Sequence, residues 1–111
     1  MHTLEAVRKY EKEYEVDADK RPLFHVTPPI GWMNDPNGFS VYKGQIHLFY
    51  QYHPYSNVWG PMHWGHQVSE DMISWKQYPT ALAPDMEYDE EGCFSGSAGM
   101  TNLGHVLFYT G

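Results

Sequence analysis

Gly38-Phe39-Ser40-Val41-Tyr42-Lys43-Gly44-Gln45-Ile46-His47-Leu48-Phe49-Tyr50-Gln51-Tyr52 is the stretch that sets the fold class. On either side of Lys43-Gly44 the period is two, so Gly38 to Tyr42 and Gln45 to Tyr52 are expected to form a β-hairpin closed by a tight turn. Toward the C-terminus, His63 to Ser69 and Ile73 to Tyr78 are the next strand candidates. Four such strands make one antiparallel sheet about the size of a propeller blade, typically ~40 to 50 residues. Phe94 to Met100 and His105 to Thr110, separated by Thr101-Asn102-Leu103-Gly104, form a further hairpin. A strand closing at Thr110-Gly111 with no neighbour would leave a row of unpaired backbone donors and acceptors, and something is expected to cover it.

Toward the N-terminus the pattern changes. Leu4, Val7, Tyr10 and Tyr14 recur at spacings of three and four, Thr3 suits an N-cap, and Glu5 suits the first turn. A short amphipathic helix over residues 3 to 15 follows. Asp17 to Pro22 ends that pattern, and Pro28-Pro29 forbids regular structure just before Trp32. The expected organisation is a helix and linker over 1–20 and a propeller segment over 21–111. Within that segment a first blade covers 31–80 and the start of a second covers 94–111.

Composition supports this all-β body. The chain has 111 residues, 41% hydrophobic and 16% aromatic, enough for a core, with the aromatics mostly after residue 23. Its formal charge of -7 repels phosphate backbones and anionic lipid surfaces, which argues against nucleic-acid and membrane partners. The single cysteine, Cys93, cannot form an internal disulfide or a zinc cluster and suits a reducing compartment. The charged N-terminus lacks the apolar core of a signal peptide, so a cytoplasmic location is expected.

The chemistry gathers around Trp32-Met33-Asn34-Asp35-Pro36-Asn37-Gly38, expected as a loop leading into the first strand. Pro36 fixes its own φ and restricts Asp35 to extended conformations, so the carboxylate sits on a stiff support suited to nucleophilic attack. Asp-Pro-Asn-Gly is also simply a good turn sequence. Trp32 adds an apolar wall for a sugar face and Asn34 an amide that can donate to hydroxyls. Gln51, at the end of the second strand, and Trp59, in the loop Tyr55 to Gly60, could extend such a pocket; alternatively they are a solvent-facing strand end and a core anchor. His63 and His66, three apart on a strand, point to opposite faces and do not chelate a metal together. Cys93 reads as a small buried packer.

The run from Phe24-His25 through Gly31-Trp32-Met33-Asn34-Asp35-Pro36-Asn37-Gly38 resembles the opening signature of glycoside hydrolase family 32. Phe49-Tyr50-Gln51-Tyr52-His53-Pro54, Trp59-Gly60-Pro61-Met62-His63-Trp64-Gly65-His66 and Phe94-Ser95-Gly96-Ser97-Ala98 are similar to its next three blocks, in order. The resemblance covers about Arg21 to Gly111, the first part of that family's catalytic domain. It implies a five-bladed β-propeller and a retaining β-fructofuranosidase chemistry on sucrose, sucrose 6-phosphate or fructans, with no cofactor. In that scheme Asp35 resembles the nucleophile, and Asn34, Gln51, Trp59, Phe94 and Ser95 resemble residues lining the fructosyl subsite.

Retaining hydrolysis needs two carboxyl groups about 5 to 5.5 Å apart, one attacking and one protonating the leaving oxygen. The family's Arg-Asp-Pro and Glu-Cys motifs, which carry the second Asp and the acid/base Glu, do not occur in these 111 residues. Asp85, Glu87, Asp89, Glu90 and Glu91 are expected to form a solvated loop rather than to substitute. The isolated chain is therefore expected to be catalytically incomplete. Three readings follow: an enzyme segment completed by another chain, a non-catalytic relative that self-associates through its open sheet edge, or a fructoside-binding module.

Overall fold

The computed structural model describes residues 2–111. Helix α1 (Leu4–Tyr14) and a 3-10 turn (Ala18–Lys20) lead to strands β1 (Trp32–Tyr42), β2 (Gln45–His53), β3 (His63–Ser69) and β4 (Lys76–Leu82). A second 3-10 turn (Glu87–Asp89) precedes β5 (Gly96–Thr101) and β6 (Gly104–Tyr109). β1 to β4 form one antiparallel sheet in chain order, and β5–β6 is a separate hairpin packed against β1.

β2 and β3 form where the sequence places them, and both faces of β2 are buried. Phe49 and Gln51 face the hairpin, where Phe49, Trp64 and Cys93 form a core with Ala81, Leu82, Leu107 and Tyr109. Tyr50 and Tyr52 face the N-terminal segment. There the Tyr50 hydroxyl lies 3.4 Å from Gln77 Oε1, and Gln67 Nε2 donates to the Thr27 carbonyl at 2.6 Å. Burial pushes the Tyr50 hydroxyl up to about 12.

α1 forms where periodicity placed it, and Thr3 Oγ1 accepts from the Ala6 amide at 3.2 Å. Its buried face differs from the expected one. Tyr14 is 52% exposed, and Glu11 is buried beside Val7. The cause is the free edge of β4. Glu11 accepts hydrogen bonds from the Thr80 amide and hydroxyl, while Arg8 Nε donates to the Thr80 carbonyl at 3.0 Å. Two helix side chains thus satisfy the backbone groups that a fifth strand would otherwise pair.

Several strand boundaries are corrected, and β5 runs from Gly96 to Thr101 rather than from Phe94 to Met100. β4 starts at Lys76 rather than Ile73, because Asp71 Oδ1 accepts from the Ile73 and Ser74 amides at 2.8 Å and bends the chain there. β4 also runs through Pro79, which an edge strand tolerates. More consequentially, Trp32 to Gly38 is not a loop but the first half of β1.

Candidate active site

β1 is a strand with two bulges. Met33 pairs with Tyr52 and Pro36 with Tyr50, so Asn34 and Asp35 together oppose Gln51 alone. Asn37 pairs with Phe49 and Ser40 with His47, so Gly38 and Phe39 together oppose Leu48. A bulge re-aims side chains that a regular strand would alternate between faces. Gly38 makes the second one possible: its φ is +55°, and an added Cβ would lie 2.8 Å from Phe49 Cδ2 and 3.3 Å from Ala98 Cβ. The Asn-Gly pair that reads as a turn is a bulge in the middle of a strand.

Asp35 lies on the first of these bulges, beside Asn34, and is exposed. Trp32 Nε1 donates to Asn34 Oδ1 at 2.9 Å, which fixes the Asn34 amide and leaves its NH2 group as the donor. Gln51 is interior to β2 rather than at its end, and is only 3% exposed. Its Nε2 donates to the Cys93 carbonyl at 3.0 Å. Trp64 Nε1 donates to the Phe94 carbonyl at 3.0 Å, and the Gly96 amide reaches Asn37 Oδ1 at 3.4 Å. These three bonds tie the Cys93-Phe94-Ser95-Gly96 segment to the sheet beside the Asn34-Asp35 bulge. Phe94 is half-buried and Ser95 exposed, both just ahead of β5. A cleft of about 190 Å³ opens between Pro36 to Phe39 and Gly96 to Ala98.

Trp59 is brought to the same end of the sheet by its neighbour. Gly60 lies directly against the His53 ring, closer than any Cβ would permit, and His53 is the partner of Trp32 in β1–β2 pairing. Trp59 itself is 58% exposed and anchors no core. The structure therefore brings Asn34, Asp35, Gln51, Phe94 and Ser95 together around one bulge, with Trp59 on the adjoining loop.

The acidic run is not a solvated loop throughout. Asp89 is 2% exposed, with Oδ1 accepting from the Met86 amide at 2.9 Å and Oδ2 from the Tyr109 hydroxyl at 2.7 Å. Asp85 accepts from the Leu4 amide at 3.0 Å, at the helix N-terminus. These two carboxylates hold the fold. Burial and the neighbouring Asp89 charge push the Cys93 thiol up, which keeps it protonated and inert.

Sequence reasoning missed a cluster next to this site. His47 Nδ1 and His66 Nε2 are 2.9 Å apart, and the His105 ring stands 5.0 Å from that of His47. Ser40 Oγ donates to the Gly38 carbonyl at 2.9 Å, so His105 Nε2–H is the donor to Ser40 Oγ at 2.8 Å. Ser40 is thus not an activated nucleophile. No local signal joins residues 47, 66 and 105; only the docking of β6 on the sheet does. His63 lies on the opposite face near His2 and His53, as the alternation predicts, and no group of three His, Cys, Asp or Glu suited to a metal occurs among the described residues.

A bulged strand thus presents a carboxylate among amides and aromatics on a blade-sized sheet. The family model described as Glycosyl hydrolases family 32 N-terminal domain matches residues 25–111. The chain belongs to glycoside hydrolase family 32.

It is 58% identical over 90 residues to a sucrose-6-phosphate hydrolase of Zymomonas mobilis, covering 81% of this chain and 18% of that protein. It is 54% identical over 96 residues to a levanase of Bacillus subtilis, covering 86% and 14% respectively. Among solved structures, a Bombyx mori GH32 β-fructofuranosidase superposes with a TM-score of 0.81 at 48% identity, covering 93% of this chain and 22% of that one. The chain thus spans about a fifth of the length of these relatives. Its four-stranded sheet is a blade of the propeller fold, and the β5–β6 hairpin is part of the next.

Proposed function

We propose that the chain supplies the nucleophile side of a retaining β-fructofuranosidase, acting on sucrose-type fructosides. Asp35 attacks the anomeric carbon of a terminal fructosyl unit, while Asn34 and Gln51 hold its hydroxyls and Trp59, Phe94 and Ser95 line the subsite. The observation that carries this reading is the bulge, which puts Asn34 and Asp35 together opposite Gln51 and beside the tethered Phe94-Ser95 segment. The relatives' names, sucrose-6-phosphate hydrolase and levanase, and a neighbour solved in complex with sucrose support the substrate class.

The acid that protonates the leaving oxygen comes from outside these residues, since the nearby buried acid, Asp89, has both oxygens engaged. The chain alone is then inactive. Fructose release from sucrose should be measured for the chain alone and mixed with a polypeptide carrying the rest of a family 32 catalytic domain. Release is expected only in the mixture and is lost with Asp35→Asn; release insensitive to that change, or none in any mixture, rejects the proposal.

The covering partner is such a completing chain or a second copy of this one. Favouring a partner of either kind, β6 pairs only with β5 among the described residues, and Met100, Leu103 and Phe108 are exposed on that hairpin. Light scattering separates the cases, because a stable monomer at high concentration leaves only the completing chain. A reducing compartment suits the lone buried Cys93, and we place the reaction in the cytoplasm, which cell fractionation tests.

A further inference from the structure

A second cleft lies at the other end of the sheet. It occupies about 350 Å³ between the start of β2, the β3–β4 turn and the start of β4, with Gln45, Glu70, Trp75, Lys76 and Tyr78 on its walls. Gln45 is six residues along β2 from Gln51, which puts the cleft about 20 Å from the Asp35 bulge. It shares no residue with that site.

Three properties of this cleft point to a ligand. The first is Trp75, half-buried in the cleft wall, whose indole is open to a solvent or ligand partner. A second cleft, lined by Arg21, His25, Gln67 and Gln77, also has Trp75 in its wall, so the indole is a partition with open space around it. The second property is an unspent set of polar groups. The side chains of Gln45, Glu70 and Lys76 and the Tyr78 hydroxyl make no hydrogen bond among the described residues, whereas the neighbouring Gln67 and Gln77 amides are committed to Thr27, His66 and each other. The cleft therefore offers an amide, a carboxylate and a phenol beside an aromatic plane, with the Lys76 ammonium over the Tyr78 ring at 5.9 Å.

The third property is stiffness. Ser69 Oγ accepts from the Asp71 and Met72 amides, and Asp71 accepts from the Ile73 and Ser74 amides. These bonds hold Met72 at a φ of +66° and keep the Asp71 carboxyl below its usual range. A wall set in advance loses little entropy on binding.

The charge balance selects the ligand class. Glu70 and Asp71 outweigh Lys76, so a phosphate or carboxylate is repelled, and the wall presents apolar and polar atoms together. A neutral ring with one C–H-rich face and several hydroxyls matches both the plane and the unspent groups. We propose that this cleft is a second saccharide-binding site with Trp75 as its platform, which would hold a fructoside chain to the protein away from the Asp35 bulge. The choice of fructosides rests on the function proposed above; the choice of a neutral sugar rests on the cleft alone.

The test follows the four indole N–H signals of the 15N-labelled chain, assigned by single substitution, during titration with sucrose and with 1-kestose. The Trp75 signal should move saturably, with a dissociation constant of about 1 to 10 mM, the weak range expected of an open cleft. Glu70→Ala, at an exposed position, should weaken this several-fold. Asp35→Asn should leave the Trp75 response unchanged, which separates this site from the proposed catalytic one. Movement of Trp32 and Trp59 alone, or no movement of Trp75 at about 100 mM sugar, overturns the proposal. A moving Trp75 in a chain that releases no fructose in any mixture would retain the site and reject the proposed activity.

Discussion

The two faces of the four-stranded sheet bury polar groups for different ends. On the hairpin face three long-range bonds join a side chain to the backbone: Gln51 to the Cys93 carbonyl, Trp64 to the Phe94 carbonyl, and the Gly96 amide to Asn37. Each fixes a stretch of chain relative to the Asp35 bulge. On the helix face the bonds close a free strand edge, with Glu11 and Arg8 at Thr80. The first face positions the candidate site, and the second protects the sheet.

The largest effect should come from the hairpin face. Trp64 is fully buried against Phe49 and Tyr109 and also donates to Phe94. Trp64→Ala should cost about 3 to 5 kcal/mol in denaturant unfolding. It should also loosen Phe94 and Ser95 as seen by amide exchange, while α1 stays docked until global unfolding. A variant that loses α1 and the hairpin together at a lesser cost would show that the two faces are one cooperative unit.

Acid should divide the faces next. His47, His66 and His105 meet from β2, β3 and β6, with Ser40 and Tyr42 of β1, Phe49 of β2 and Tyr78 of β4 around them, and no carboxylate among these groups. Burial, then the neighbouring imidazoles, hold His66 down at about 4. A depressed histidine stabilises fully above its unfolded value of 6.5, and that stability drains away as pH falls toward 4. By pH 5 the loss is about 2 kcal/mol. On the helix face His63 is likewise held at about 4, but burial raises Glu11, whose ionisation therefore weakens docking above pH 4.5 and not below. Protonating Glu11 offsets part of the histidine loss there. Amide exchange at pH 7 and pH 5 should show β6 opening before α1; the reverse order would contradict this account.

How far the sequence revealed this division depends on the element. β2 and β3 were legible because neither contains a bulge, and their residues pair one to one from Ile46 to Tyr52 and from His63 to Ser69. β1 was not, because two bulges reset its alternation and Pro36 reads as a break, although an edge strand accepts it. The start of β4 depended on the Asp71 carboxylate capturing two amides, a side-chain event that propensity does not contain. Glu11 and Asp89 are charged residues that composition assigns to solvent, yet each is buried because a distant segment brings donors to it. The residues proposed for the site could be named through the family motifs, but that Gln51 reaches the Phe94 segment through the Cys93 carbonyl could not.

Glu11→Ala comes third in size. It removes the acceptor for two Thr80 donors and leaves them buried on the strand edge, a loss of about 1 to 3 kcal/mol. Protection should fall in α1 and β4, with β5 and β6 unaffected. If β5–β6 loosened equally, the edge would be supporting the hairpin through the sheet, and the separation of roles would fail.

The smallest effect should lie at Thr3. Its hydroxyl caps the Ala6 amide, and a cap of this kind contributes about 1 kcal/mol where it acts alone. Here the Leu4 amide has its own acceptor in Asp85, whose negative charge also suits the positive end of the helix dipole. Thr3→Ala should therefore cost only about 0.5 kcal/mol, and the same change in an Asp85→Asn background about 1 kcal/mol. Additive costs in a double-mutant cycle would mean that the two groups cap independently. A larger cost in the second background is expected, because each then compensates for the other at one helix end. Neither change should alter exchange at Gly96 or Phe94, since neither side chain hydrogen-bonds to that segment.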